Sequence, residues 1–100
     1  MIIASKVDTN QPAIVQAFRQ MGARVQVLSF VGKGFPDLLI CYRGTLALVE
    51  VKDGAKSASR RQLTPDEQAW HAEWDDAPLY IVASVDEAAK LLNEWDDWNA

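Results

Sequence analysis

The chain has 100 residues, 49% of them apolar and 24% charged, with a formal net charge of −4 at pH 7. That is the size and mixture of one globular domain able to bury its own core, and the single cysteine, Cys41, excludes an internal disulfide framework. No apolar run approaches the roughly 20 residues that cross a bilayer, and the start Met1–Lys6 is too short for a secretory leader, so the expected setting is cytoplasmic and away from membranes.

Asp8, Thr9 or Asn10 caps a first helix, with Pro12 in the opening turn where a missing amide costs nothing. Ile14, Val15, Phe18 and Met21 fall on one stripe of that helix, and Gly22 stops it. Arg24 to Phe30 alternates as a strand does, and the glycines and proline of Val31–Pro36 mark a loop. Asp37–Tyr42 and Thr45–Lys52 are apolar runs joined by Arg43-Gly44, the pattern of a β-hairpin. Asp53–Leu63 is polar, basic and without period, which predicts a mobile loop or arm.

Thr64-Pro65-Asp66-Glu67 combines an N-cap, a first-turn proline and a capping-box acid, and opens a second helix carrying Trp70 and Trp74. Leu79–Ala83 is a continuous apolar run, as expected of a strand covered on both faces. Ser84-Val85-Asp86-Glu87 is a second capping box, with Ala88, Leu91, Leu92 and Trp95 on the inner stripe of the last helix. The order is αβββαβα, an α/β layer structure on a mixed sheet in which Thr45–Ala83 forms a right-handed parallel crossover added to an antiparallel meander.

Charge divides along the chain. Residues 1 to 62 hold nine of the ten Lys and Arg, whereas residues 63 to 100 hold Lys90 alone against ten acids. Such a chain presents a basic face to a polyanion despite its acidic total, or simply two solvated surfaces of opposite sign.

The hairpin is the informative element. With Arg43-Gly44 as a two-residue turn, Tyr42 faces Thr45 and, counting outward, Asp37 faces Glu50. Lys52, two residues on, shares the face of Glu50. Opposed like charges destabilise a sheet, and Lys52 neutralises one of the two carboxylates, so a divalent cation is the economical remainder. Mg²⁺ is commonly held by one or two carboxylates with waters and a substrate phosphate. The plain alternative is a frayed hairpin end, with Asp37 solvated and Glu50 paired to Lys52. A one-residue slip of register would also separate the group.

Gly34-Phe35-Pro36-Asp37-Leu38-Leu39-Ile40, then Leu48-Val49-Glu50-Val51-Lys52, then Leu63-Thr64-Pro65-Asp66-Glu67-Gln68 with Trp70, resemble the virus-type replication-repair nuclease domain. That domain belongs to the PD-(D/E)XK nuclease superfamily. The resemblance runs from about Asp8 to Leu92, so residues 1–100 look like one stand-alone copy with a restriction-endonuclease-like fold. It implies that Asp37, Glu50 and Lys52 are catalytic, and that Asp37, Glu50 and the backbone carbonyl of Val51 hold Mg²⁺ or Mn²⁺. The implied reaction is phosphodiester hydrolysis, with Lys52 orienting water or stabilising charge on the phosphate. Gln11 stands where related nucleases often add an acid from the first helix, which bears on how a second metal would be held.

Gln68 is a candidate contact to phosphate or water, or else an exposed helix residue. Lys33 in its glycine loop, and Lys56, Arg60 and Arg61 in the basic segment, are candidate contacts to the DNA backbone. His71 reads as a helix-surface residue, Cys41 as a small core residue, and Trp70, Trp74 and Trp95 as core. The expected function is a Mg²⁺-dependent endonuclease of branched DNA, similar to a four-way-junction resolvase and of bacterial or phage origin. The expected unit is a homodimer, joined through Phe30 and Phe35 or through Trp95 and Trp98. The rivals are a catalytically silent DNA-binding or assembly module, and a subunit active only beside a helicase or repair protein.

Overall fold

Strands β1 (Arg24–Val27), β2 (Leu38–Tyr42), β3 (Thr45–Val51) and β4 (Leu79–Val82) lie side by side in that order in one sheet. The computed structural model describes residues 8–54 and 62–98, and adds helices α1 (Gln11–Gln20), α2 (Pro65–Glu73) and α3 (Val85–Trp98). Pairing is antiparallel for β1–β2 and β2–β3 and parallel for β3–β4, so the αβββαβα order and mixed sheet are as the sequence predicts.

One face of the sheet makes the core. Leu38, Ile40, Tyr42, Ala47, Val49, Val51 and Val82 pack with Ile14, Val15 and Phe18 of α1 and with Ala88, Leu92 and Trp95 of α3. Burial of each large aliphatic or aromatic side chain contributes about 1.5–3 kcal/mol, so this layer carries most of the stability. Met21 ends the first helix by returning its amide to the Ala17 carbonyl at 3.1 Å, and Gly22 follows at φ 100°. Asn10 occupies the N-cap position without capping. Its amide instead donates to the Lys52 and Ala83 carbonyls, both at 3.0 Å, where β3 and β4 end.

The other face is only partly covered. By strand alternation and register it carries Leu39, Cys41, Leu46, Leu48, Glu50, Leu79 and Ile81. None of its apolar members is fully buried, and α2, which has no fully buried residue, meets this face at the Glu50 end.

Five expectations are corrected here. The run Leu79–Ala83 is an edge strand with Ile81 exposed, because continuous apolar sequence reads alike in buried and edge strands. Cys41 is half-buried on the open face, opposite in phase to the core residues Ile40 and Tyr42. Trp70 and Trp74 stack on each other, 5.0 Å apart and 4° from parallel, outside the core, whereas Trp95 is buried. The first strand stops at Val27 because Leu28, whose amide still meets the Asp37 carbonyl at 2.7 Å, accepts at its own carbonyl from the Val31 amide at 3.0 Å in a turn, and Ser29 is buried. In α3, Ser84 accepts from the Glu87 amide, but Glu87 reaches back to the Ala83 amide, one residue short of a capping box on Ser84 itself.

Candidate active site

The β2–β3 turn fixes where the carboxylates meet. Arg43 and Gly44 both have positive φ, 50° and 81°, as a two-residue type I′ hairpin turn requires. The ladder then runs from Tyr42↔Thr45 to Leu38↔Val49, which leaves Asp37 one step beyond the last paired residue and beside Glu50. The expected register therefore holds. Asp37 is locked from both sides, since its Oδ2 accepts from the Val51 amide at 2.8 Å and its Oδ1 from the Ser29 hydroxyl at 3.2 Å.

Glu50 is 1% exposed. Burial, followed by the neighbouring Asp37 and Glu67 carboxyls, pushes its pKa up to about 11, so the side chain is protonated at neutral pH without a cation. Among the described residues its Oε1 has no hydrogen-bond partner, and it lies 3.7 Å from Nε2 of His71, which likewise has none there. Burial lowers the pKa of His71 below the ordinary histidine value, leaving a neutral imidazole at pH 7.

Lys52 is buried with Glu50 but does not pair with it. Its Nζ sits 2.6 Å from Oε1 of Glu67, an oxygen that also accepts from the Thr64 amide at 2.8 Å to complete the predicted capping box. Burial works to raise the Glu67 pKa, but the Lys52 ammonium and the Thr64 amide outweigh it and hold Glu67 lowered and ionised. The Glu50–Lys52 pair of the plain alternative does not form, and Lys52 pairs with Glu67. Side chains two apart on a strand project side by side, whereas α2 brings a carboxylate head-on.

Gln11 is 4% exposed and joins the group indirectly. Its Nε2 donates to Ser29 Oγ at 3.0 Å, and Ser29 in turn donates to Asp37. Gln68 is exposed and bonds the Leu63 carbonyl at its own helix start, away from the carboxylates. Lys33 is exposed at φ 54° on the loop before the site. That loop is pressed onto α2, because a Cβ on Gly34 would overlap the Asp66 backbone. Phe35 of the same loop meets Trp70 edge-on at 5.1 Å, while Phe30 is exposed. Lys56, Arg60, Arg61 and the side chain of Trp98 lie outside the described residues.

Asp37 and Glu50 are thus adjoining carboxyl groups at the open end of the hairpin. Among the described residues no group of three or more His, Cys, Asp or Glu side chains is arranged to hold a metal ion. Sequence reading missed Glu67, His71 and Ser29 as members of the site. The capping-box spacing explained Glu67 fully at the helix, and nothing local tied His71 to Glu50, 21 residues before it, or Ser29 to Asp37 across the loop between them.

A solved structure described as a VRR_NUC domain superposes on this chain with a TM-score of 0.62 and 30% sequence identity, covering 83% of this chain and 89% of the other. No family profile matches the chain, and no curated protein does.

Proposed function

The chain belongs to the VRR_NUC nuclease-domain family, and from that membership we propose that it is a Mg²⁺-dependent endonuclease of branched DNA, working as a homodimer on two-fold substrates such as four-way junctions. The observation that carries this reading is Glu50, a carboxyl driven into a buried position beside Asp37 with one oxygen that meets no donor. Two neighbouring carboxyls of which one is held protonated by burial are a suitable home for a hard cation, and they fit the one or two carboxylates by which Mg²⁺ is usually held. Asp37, Glu50 and the Val51 carbonyl would hold it. When bound, Mg²⁺ supplies positive charge against the phosphate and activates the attacking water.

The protein's own part is orientation and charge. Asp37 is kept in one rotamer by Ser29 and the Val51 amide. Lys52 presents an ammonium to the phosphate and exchanges Glu67 for it as negative charge builds there. Gln11 acts through Ser29, as an amide where an acid would add a further cation ligand. Homodimer formation is supported by the open sheet face, where Leu46 and Ile81 are 56% and 50% exposed. The contacts expected through Phe35 and Trp95 are replaced, since both rings pack within the protomer. The test is cleavage of junction, flap and linear duplex DNA with and without Mg²⁺. Asp37→Ala and Glu50→Ala are each expected to abolish cutting while DNA binding stays intact or tightens, and a single mutant cutting at the wild-type rate would overturn the site.

A further inference from the structure

Glu50 in β3 and Lys52, the first residue past its end, lie two residues apart, and α2 carries Glu67 and His71 four residues apart. Two strand residues span about 6.6 Å and four helical residues about 6 Å, so a helix lying along a strand can set one side chain opposite each of two strand partners. The order of the contacts is reversed, Glu67 on Lys52 and His71 by Glu50, as in a helix running back between the parallel strands β3 and β4.

The Glu67 half of this match is closed, at 2.6 Å. The His71 half is open by less than an ångström. Nε2 of His71 and Oε1 of Glu50 are buried, face each other at 3.7 Å, and have no other partner among the described residues. A buried polar atom without a partner costs about 1–3 kcal/mol, and two such atoms that face each other lose that cost together when the gap closes. The other groups beside Glu50 are already engaged, Asp37 by Ser29 and the Val51 amide, and Glu67 by Lys52 and Thr64. His71 therefore has no role in the capping box and none in the core, yet it is aimed at the one carboxyl oxygen left over.

We propose that α2 is the orienting element of the site, with His71 a positioning residue for the Glu50 carboxyl and Glu67 a positioning residue for the Lys52 ammonium. The roles rest on the nuclease reading, but the His71–Glu50 contact does not. His71 is the chain's only histidine, so its ring gives an unambiguous ¹⁵N spectrum. In the metal-free protein the Nε2 signal is expected to move on Glu50→Gln while Nδ1 stays. An Nε2 signal indifferent to that change overturns the contact, whether or not the protein cuts DNA.

The functional half is read from Mg²⁺ affinity, taken from Mg²⁺-dependent melting, and from kcat and KM on DNA. His71→Phe keeps a ring and removes the nitrogen. It is expected to weaken Mg²⁺ affinity and kcat about tenfold, the lower end for a group supporting a metal ligand, with KM for DNA unchanged. His71→Gln restores a side-chain amide and is expected to recover most of both. Glu67→Gln keeps an oxygen for Thr64 and Lys52, so the helix start survives; kcat is expected to fall with Mg²⁺ affinity unchanged. Wild-type values in His71→Phe, or an equal loss in His71→Gln, overturn the positioning role. A wild-type protein that cuts no DNA with any divalent metal sinks the nuclease reading, and the histidine signal still decides the contact.

Discussion

Glu50 is buried at a cost to the metal-free fold that grows as pH rises. Its folded-state pKa, raised to about 11 first by burial and then by Asp37 and Glu67, lies far above that of an exposed glutamate. A group raised in this way contributes fully below its unfolded pKa and loses that contribution as pH climbs towards the folded one. Glu50→Gln, which is neutral at every pH, is therefore expected to melt higher than the metal-free wild type. The gap should open above about pH 4.5 and reach on the order of 3 kcal/mol by pH 7. Melting temperatures of the two proteins from pH 5 to 8 check this, and parallel curves would mean that Glu50 is solvated. Asp37 and Glu50 were legible in the sequence because a two-residue turn fixes a register by counting. Ser29 was not, since a serine two residues past the last ladder pair of β1 carries no local sign that it will turn inward to Asp37.

At the scale of elements, α2 is held by few contacts, and they are the site's own: Glu67 on Lys52, His71 beside Glu50, and Trp70 on Phe35. The close approach of the Gly34 loop to the Asp66 backbone sets the height of that helix over the sheet. Gly34→Ala adds a methyl where the helix backbone already sits, at a φ of 81° that L residues rarely adopt. Its expected cost is at least about 1–2 kcal/mol, and cleavage should fall further than stability because the helix start is displaced from Lys52. Thermal melting beside a cleavage assay measures the two losses; a fall in stability with wild-type cleavage would show that the loop supports the fold alone. The helix boundaries were readable because Thr64, Pro65 and Glu67 each serve the backbone within one turn. What α2 rests on was not, because that depends on a crossover between elements. The same limit hid β4: Leu-Tyr-Ile-Val has no polar phase to tell an edge from a centre.

For the whole molecule, the sheet has one closed face and one largely open face, and the open face is where a second copy would gain most. Leu46→Glu and Ile81→Lys place charge on side chains already exposed, so each protomer should fold normally while self-association is lost. Light scattering at micromolar protein, with and without junction DNA, reads the outcome; a wild type that is monomeric in both and still cuts both strands of a junction excludes the dimer. The charge division yields a separate expectation. Acids crowd the second half, including the exposed Glu73, Asp75 and Asp76 behind α2, and leave the DNA backbone to the first half. Replacing Lys56, Arg60 and Arg61 together is expected to weaken DNA binding across all sequences and to flatten its salt dependence by up to about three counterions. An unchanged slope would assign that segment no phosphate contact.

The two ends of the crossover are fastened independently. Gly54 gives its amide to the Ala83 carbonyl at 2.9 Å, and Asn10 clasps the Lys52 and Ala83 carbonyls, so the exit from β3 is tied off before the intervening segment begins. The entry to α2 is tied off by Thr64 and Glu67. Each end of the crossover is thus held by residues outside the segment it encloses: Asn10 and Gly54 fix where β3 lets go and the Thr64 cap fixes where α2 takes up, so a change at one mooring is expected to leave the other in place.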